Sequence, residues 1–395
     1  MNFTTEPAQA DGILINVDSL YGRLSQLQDK RKAKGKRYGL GLVLLLILLA
    51  KLAGEDKPSG IAEWVQHRCQ QLVAMLGLER VTMPCHNTYR RVLQQAINVQ
   101  EMEETVAHFL QRQVAAEQGM VVVIDGKTLQ GTIPAGSNQG VHLLAAYVPA
   151  QGVVLMQVAV PRKENEILAA PRLLKAIDLR GKVVRGDAMH TQRALSVQIL
   201  AAGGDYVWPV KENQPTLLAD IQEVFDPAPT AAGWSQAPRD LRSASSRDCA
   251  HGRLEKRTLT ASSFLNEYCD WPGLAQVFKL ERHTTINNTG QTRRDIVYGI
   301  TSLTAEEAPP QRLLHLMRQY WAIENGLHYR RDKTLQEDGT RMTNHTQARA
   351  MALINNLVIA LIRQQGFSYL PAARRFYNAN LPATLTLLLS HVPKM

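Results

Sequence analysis

The spacing of apolar residues divides the chain into helical and strand-forming segments. Up to about residue 115, apolar residues recur at intervals of three and four, as in IAEWVQHRCQQLVAMLGL and ETVAHFLQRQVAAEQ, which predicts amphipathic helices. The uninterrupted apolar run Leu40–Ala50 is shorter than the roughly 20 residues that cross a bilayer core. We therefore expect a helix buried at the centre of a helical domain, and no membrane span.

From residue 120 the pattern changes to short apolar runs that predict strands. MVVVID (120–125), VHLLAAYV (141–148) and GVVLMQVAV (152–160) follow one another directly, whereas GKVVRGD (181–187) and DYVWPV (205–210) are separated by helical segments. A meander of three strands followed by two helix-connected strands is the topology of the RNase H-like fold, in which the first and fourth strands are neighbours. We therefore predict an α/β protein with an RNase H-like (retroviral-integrase-like) catalytic core.

The rest of the chain predicts a second β-rich segment and a helical end. Residues 228–303 open on a loop rich in Pro, Ala and Gly and then alternate polar and apolar positions, which predicts antiparallel strands forming either an insertion or an extension of the sheet. A long helix is expected from Gln311 to Asp332, and further helices near 346–365 and 370–390. The predicted domains are a helical N-terminal DNA-binding or association domain (1–115), the first part of the core (118–227), the β-rich insertion (228–303) and a helical C-terminal part of the core (304–395).

Composition adds a charge argument. Lys and Arg exceed Asp and Glu by 45 to 35, giving a formal charge of +10 and a pI near 9.5. Such an excess favours a polyanionic partner, nucleic acid or an anionic membrane surface, although ordinary solubility charge also produces it. The four scattered cysteines lack metal-site spacing and are typical of reduced thiols, and the polar N-terminus is unlike a signal peptide. We expect a cytoplasmic protein, nucleoid-associated when bound to DNA.

Three acidic residues fall where this fold would bring acids together. Asp125 and Asp187 end the first and fourth predicted strands, and Glu324 lies on a half-apolar face of the long helix. Oxygen ligands of this kind suit Mg²⁺, and two ions roughly 4 Å apart can promote phosphoryl transfer. For either aspartate alone, a helix cap or a turn residue is the better interpretation, and the combination of all three acids in this topology favours a functional site.

Basic and amide residues cluster in sequence near these acids. They could contact a DNA phosphate backbone, or they could be ordinary solvent-exposed surface residues. His328 is either a proton-transfer group or a packed histidine. In MPCHNTYRRVLQQAI a short helix is expected to expose His86, Tyr89, Arg90 and Arg91, either for docking on DNA or as a solvated basic face. The candidate DNA-binding residues are Lys127, Lys211, Asn213, Gln214, His251, Arg253, His328, Arg331, Arg90 and Arg91.

Several of these segments resemble a known family. IDGKTLQGT, DLRGKVVRGDAMHTQ, DYVWPVKENQPTL, HGRLEKR and YWAIENGLHYRRD resemble, in order and spacing, the DDE transposases of bacterial insertion sequences, especially the H-repeat-associated (ISAs-type) group. The likeness runs from about residue 20 to the C-terminus. It implies an RNase H-like core, a catalytic and metal-binding triad at Asp125, Asp187 and Glu324, and two Mg²⁺ or Mn²⁺ ions. It also implies action on double-stranded DNA, at the terminal inverted repeats and a target, with the N-terminal helical part binding the ends.

Some positions depart from the wider superfamily, and other functions remain open. Tyr320 occupies the position of an expected arginine, Arg331 that of an expected lysine, and Gly186 precedes the second acid. Asp332 and Asp338 are alternatives to Glu324 as the third acid. A homodimer is expected because two DNA ends must be held together. The rival functions are an RNase H-like nuclease that cleaves without joining and an inactive DNA-binding relic.

Overall fold

The computed structural model divides into two compact units. The first comprises residues 1–115, 126–162 and 324–395, and the second comprises residues 116–125 and 163–323. The residues that the structure describes are 9–10, 13–14, 18–114, 117–161, 165–226, 240–250 and 252–390.

The N-terminal part of the first unit is helical apart from a two-residue strand pair, Gln9–Ala10 with Ile13–Leu14. The predicted buried helix is confirmed, because every residue of α2 (Leu40–Leu52) except Leu42 is buried. None of the helices in the described ranges is long and apolar enough to cross a membrane. The helices are α1 (Leu20–Ser25), α2 (Leu40–Leu52), α3 (Pro58–His67), α4 (Cys69–Leu76), α5 (His86–Arg91) and α6 (Val99–Gln113).

Helix α5 carries part of the predicted DNA-docking surface. Arg90 and Arg91 are exposed, as expected, and so is His86. The expected exposure of Tyr89 is wrong, because its side chain is fully buried and burial raises the pKa of its hydroxyl. The helix continues as a π-helical turn, Val92–Ala96, which packs against the C-terminal part of the chain through a hydrogen bond from Gln94 Nε2 to Gln347 Oε1 (2.8 Å).

Nine strands of the described residues form one sheet. The strands are β1 (Met120–Leu129), β2 (Val141–Val148), β3 (Val153–Val160), β4 (Lys182–Arg185), β5 (Asp205–Val210), β6 (Arg242–Ala250), β7 (Arg253–Ser262), β8 (Gln276–Ile286) and β9 (Thr292–Thr301). The strand order is β3-β2-β1-β4-β5-β9-β8-β7-β6, where β1, β4 and β5 are parallel and the pairs β2–β3 and β5–β9 are antiparallel. Strand β1 contains residues of both units.

The order of the first five strands confirms the RNase H-like prediction, and the first and fourth strands are neighbours as expected. Strands β6 to β9 answer a question that the sequence left open. They form consecutive antiparallel pairs, and β9 pairs with β5, so the β-rich segment extends the core sheet. The helices of this unit are α7 (Glu166–Lys175), α8 (Arg193–Ala201), α9 (Pro215–Phe225), α10 (Pro310–Gln319) and α11 (Trp321–Ile323).

The predicted continuous helix from Gln311 to Asp332 is wrong in its continuity. Helix α10 ends at Gln319, and the first unit resumes with two π-helical segments, Glu324–His328 and Arg330–Thr334. Gly326 lies inside the first of them, and a side chain there would collide with the hydroxyl of Tyr147. A glycine weakens an α-helix, and π turns are frequent at functional sites. The chain closes with α12 (His345–Gln364), α13 (Leu370–Ala379) and α14 (Leu381–Leu389).

Buried ion pairs hold these π-helical segments in the first unit. Arg374 on α13 donates from Nη1 to the carbonyl of Thr334 (2.6 Å) and from Nη2 to Asp56 Oδ2 (2.9 Å). Lys51 Nζ donates to Asp56 Oδ1 (3.0 Å), and burial lowers the pKa of Lys51 while Asp56 opposes that effect. One carboxylate therefore compensates two buried cations, one on α2 and one on α13.

This arrangement predicts a specific loss of stability. Asp56→Asn should lower the free energy of unfolding by about 3–5 kcal/mol, because it leaves the buried Lys51 and Arg374 without their carboxylate. The control is Glu63→Gln, at an exposed position of α3, where a change within about 0.5 kcal/mol is expected. Chemical denaturation followed by circular dichroism measures both variants, and equal stability of the two would contradict the assignment.

Candidate active site

Asp125 lies on β1, and Asp187 comes two residues after the end of the neighbouring parallel strand β4. The paired residues of β1 and β4 run from Met120 opposite Lys182 to Val123 opposite Arg185. The same register, continued by two residues, sets Asp125 opposite Asp187, and neighbouring strands are about 4.8 Å apart. The expectation that Asp125 ends its strand is wrong, because β1 continues to Leu129, but the predicted proximity of the two aspartates agrees with this register.

Tyr320 connects α10 to this carboxylate pair. Its hydroxyl donates a hydrogen bond to Asp125 Oδ1 at 3.2 Å. Burial raises the pKa of Tyr320, and the negative charges of Asp125 and Asp187 raise it further. The hydroxyl therefore stays protonated at neutral pH and remains a donor to the carboxylate. Tyr320 is thus an uncharged hydrogen-bond donor to Asp125.

A buried arginine supplies positive charge behind Tyr320. Arg185 lies on β4, two residues before Asp187, and its guanidinium carbon is 5.3 Å from the centre of the Tyr320 ring. It donates from Nη1 to the carbonyl of Leu316 (3.3 Å) and to Met317 Sδ (2.6 Å). Burial lowers the pKa of Arg185 to about 10, and Tyr320 and Asp187 oppose that shift. The sequence analysis missed this residue, although an arginine inside the apolar run VVRGD was a usable signal.

The turn after Asp187 explains the glycine before it. Asp187 stands at the N-terminus of a 3₁₀ turn, Ala188–His190, and its side chain makes no capping hydrogen bond. A Cβ on Gly186 would lie 2.8 Å from the His190 ring and 2.9 Å from Ile124 Cγ1, so no larger residue fits without movement. His190 is buried, and its Nε2 is 3.3 Å from Glu166 Oε2. The Asp187 side chain therefore does not act as a helix cap.

The KENQP segment braces the same turn. Asn213 Nδ2 donates to the carbonyl of Ala188 (2.8 Å), and Gln214 Nε2 donates to that of Thr191 (2.9 Å). Lys211 Nζ lies 3.6 Å from Asp187 Oδ1, and both side chains are half-exposed. The two amides expected to contact DNA thus hold the backbone that follows Asp187, and Lys211 partly neutralises that aspartate.

Glu324 opens the first π-helical segment of the first unit. Its side chain is exposed, whereas Leu327 and His328 after it are buried. Arg331, expected to contact DNA, is 1% exposed and donates from Nε to Glu337 Oε2 (2.8 Å). Asn355 on α12 donates to the other oxygen of Glu337 (2.8 Å). Arg331 is therefore committed to the interior in this conformation.

Lys127 is likewise committed to carboxylates of its own unit. Its Nζ lies 2.7 Å from Asp332 Oδ1 and 3.4 Å from Asp338 Oδ2, and its side chain is 11% exposed. Burial raises the pKa of Asp332, and Lys127 opposes that shift. These two ion pairs connect β1 to the residues that follow Glu324. Both acids that the sequence offered as alternatives to Glu324 are therefore paired with Lys127.

The remaining candidates are simpler to place. Arg253 is exposed at the start of β7, and His251 lies outside the described residues. Among the described residues, no three His, Cys, Asp or Glu side chains form a group that could hold a metal ion. The arrangement that the structure itself supplies is the Asp125–Asp187 pair with its tyrosine, arginine and lysine neighbours.

Family models match most of the chain. The model described as Transposase DDE domain matches residues 117–361, and the one described as DDE_Tnp_1-associated matches residues 21–110.

Full-length relatives point the same way. "Putative transposase YncI" of Escherichia coli O157:H7 is 28% identical over 88% of this chain and 88% of its own. "H repeat-associated putative transposase YhhI" of Escherichia coli strain K12 is 26% identical over 88% of this chain and 91% of its own.

A solved structure is also similar, at a lower level. The cryo-EM structure of a piggyBac transposase synaptic complex with hairpin DNA has a TM-score of 0.46 and 11% identity, and covers 93% of this chain and 77% of that one. At that level the fold assignment depends on the strand order of this chain itself.

The Lys127 ion pairs yield a prediction about stability and pH. Lys127→Met should destabilise the protein by roughly 1–3 kcal/mol at neutral pH, because Asp332 and Asp338 lose their shared cation. Asp332 then becomes still easier to protonate in the folded state than in the unfolded state. The deficit should therefore shrink as the pH falls through the raised pKa of Asp332.

Thermal melting at several pH values measures this deficit. The matched control is Lys333→Met, which removes an exposed lysine beside Asp332 and should leave the melting temperature nearly unchanged. A Lys127→Met deficit that grows on acidification would refute the assignment.

Proposed function

This chain belongs to the family of DDE-domain transposases, and we propose that Asp125, Asp187 and Glu324 are the metal ligands of its DNA-cleaving and strand-transfer site. It acts as a DNA transposase, an enzyme of phosphoryl transfer. The proposed substrates are the terminal inverted repeats of its own insertion sequence and a target DNA. The observation that carries the assignment is the register of β1 and β4, which sets two carboxylates side by side at one sheet edge.

Two opposed carboxylates favour a bound cation. Neighbouring like charges each disfavour the ionised form of the other, and a divalent ion removes that cost. Transposases of this family use divalent metal ions. Oxygen-only ligands fit Mg²⁺, or Mn²⁺, better than a metal that prefers nitrogen or sulfur. Two such ions, when bound, would activate a water or a 3′-hydroxyl and stabilise the departing oxygen.

The neighbouring side chains have separate tasks in this proposal. Tyr320 fixes the orientation of the Asp125 carboxylate through its hydroxyl. Asn213 and Gln214 hold the turn that presents Asp187. Lys211 is close enough to exchange its contact with Asp187 for a DNA phosphate, since a half-exposed ion pair is weak. Glu324 supplies the third carboxylate from an exposed position.

DNA binding and pairing of ends complete the proposal. The exposed Arg90 and Arg91 on α5 fit a DNA-docking role, and Arg253 fits a phosphate contact. A homodimer would hold the two element ends together. The alternative is a nuclease of the same fold, which would cleave without joining. Precleaved element ends incubated with a target plasmid distinguish the two, because joined products require strand transfer.

The triad assignment predicts loss of chemistry without loss of binding. Asp125→Asn, Asp187→Asn and Glu324→Gln should each abolish Mg²⁺-dependent cleavage of element ends and leave end-binding close to normal, because binding depends on basic surface residues. Gel assays of cleavage and of mobility shift measure the two properties separately. Asp270→Asn is the control, because its side chain is almost fully exposed.

Asp332→Asn tests the third position directly. If Glu324→Gln still cleaves while Asp332→Asn does not, the third ligand is Asp332 and the assignment of Glu324 is wrong. Normal cleavage by Asp187→Asn would reject the whole site.

Tyr320 yields an independent prediction. Tyr320→Phe removes the hydrogen bond to Asp125 and nothing else, so it should raise the Mg²⁺ concentration for half-maximal cleavage by roughly 10–100-fold, as loss of a metal ligand's hydrogen-bond partner does. DNA affinity in the absence of metal should not change. The control is Tyr329→Phe, at an exposed tyrosine nine residues further along the chain. Identical Mg²⁺ dependence of the two variants would rule out the positioning role of Tyr320.

A further inference from the structure

The register of strands β6 to β9 aligns four basic residues across the sheet. Arg247 pairs with Lys256, Lys256 with His283, and His283 with Arg294. Directly paired residues point to the same face, and three strand spacings of about 4.8 Å make a row about 14 Å long. All four side chains are exposed. We call this set the basic row.

On the opposite face of the same strands, each of the acids Asp248, Glu255 and Asp295 is paired with an arginine. Arg257 contacts both Asp248 and Glu255, and Asp295 holds Arg282 (2.9 Å) and Arg293 (2.8 Å). Helix α10 contacts this face at β6 through the ion pair of Arg318 with Asp248 (2.8 Å).

The face that carries the basic row has little compensating negative charge. The nearest acid on this face, Glu281, is shared by Lys279 (2.9 Å), Arg294 (3.1 Å) and His283 (3.6 Å). Arg247 and Lys256 form no ion pair with any residue in the described ranges. Between Glu281 and the edge of the sheet, the adjacent row consists of Thr258 and Ser245, whose hydroxyls are 3.0 Å apart.

The two faces therefore differ in a way that the sequence conceals. In RLEKR, Lys256 and Arg257 are neighbours along the chain, yet strand geometry sends them to opposite sides. Arg257 is neutralised by Asp248 and Glu255, whereas Lys256 is exposed and has no ion pair with a described residue. Arg293 and Arg294 divide between the faces in the same manner.

We propose that the basic row binds the phosphate backbone of duplex DNA without reading its sequence. A length of about 14 Å of duplex carries about eight phosphates, so the row can contact several at once. The short hydroxyl side chains beside it allow a backbone to approach closely and can donate to phosphate oxygens. The inference rests on the proposed function only in taking DNA as the partner. The row lies on β6 to β9, which do not carry Asp125 or Asp187.

The test is the salt dependence of DNA binding, measured with a random-sequence duplex in a metal chelator. Arg247→Gln combined with Lys256→Gln should weaken binding and reduce the slope of log affinity against log salt by about 1.8, the value for two lost phosphate contacts. The chelator prevents cleavage, so this result does not depend on the triad. If the double variant shows no change in slope, the triad assignment is unaffected. If the triad variants show that the triad assignment is wrong, the expected change in slope is unaffected.

Neighbouring arginines provide a matched control. Arg294→Gln should reduce the slope by about 0.9, whereas Arg293→Gln should not, although both remove one charge from the same strand. Thermal melting checks that every variant is folded. Equal slopes for Arg293→Gln and Arg294→Gln, or an unchanged slope for the double variant, would overturn the proposal. So would an altered oligomeric mass of the double variant with unchanged DNA binding, which would indicate a protein partner.

Discussion

Parallel pairing of β1 with β4 is the constraint on which the candidate site of the second unit depends. The register of these strands, continued past Arg185, brings Asp125 and Asp187 close together. The surrounding residues donate hydrogen bonds or positive charge to this pair. Tyr320 donates a hydrogen bond, Arg185 adds a buried positive charge behind the tyrosine, and Lys211 approaches from solvent. The two carboxylates supply oxygen atoms of the kind that bind a divalent cation.

In the first unit, ion pairs and hydrogen bonds hold the segment that carries Glu324. The π-helical segments of this unit carry Glu324 at one end, and the charged side chains after it are paired. Lys127 pairs with Asp332 and Glu337 pairs with Arg331, while Arg374 donates to the carbonyl of Thr334 and pairs with Asp56. Removing one member of such a set leaves a charge in a poorly solvated position. The segment is consequently held by side-chain chemistry, because the backbone pattern of an α-helix is interrupted there.

Strand periodicity allowed the five core strands and their order to be predicted, and α2 was predicted from its apolar run. The helix expected from Gln311 to Asp332 was wrong in its continuity, since the spacing of apolar residues does not show that Gly326 packs against Tyr147. The inward or outward direction of single side chains was also poorly predicted. Lys127 is only 11% exposed where it contacts Asp332, 205 positions further along the chain, and Arg331 is buried where it pairs with Glu337. Composition and spacing carry no information about such contacts, whereas the two aspartates could be predicted because strand adjacency follows from topology.

One of the two edge strands of the sheet, β6, has a consequence for assembly. A terminal strand presents unpaired backbone groups that could recruit a strand from another molecule, which is a common route to aggregation. In β6 that border carries Arg242, Arg247 and Asp248 among serines, and charged residues oppose such recruitment. Growth of the sheet from one molecule into the next is therefore disfavoured at this border. The proposed pair of subunits should accordingly associate through side-chain surfaces, with each sheet remaining closed to its neighbour at β6.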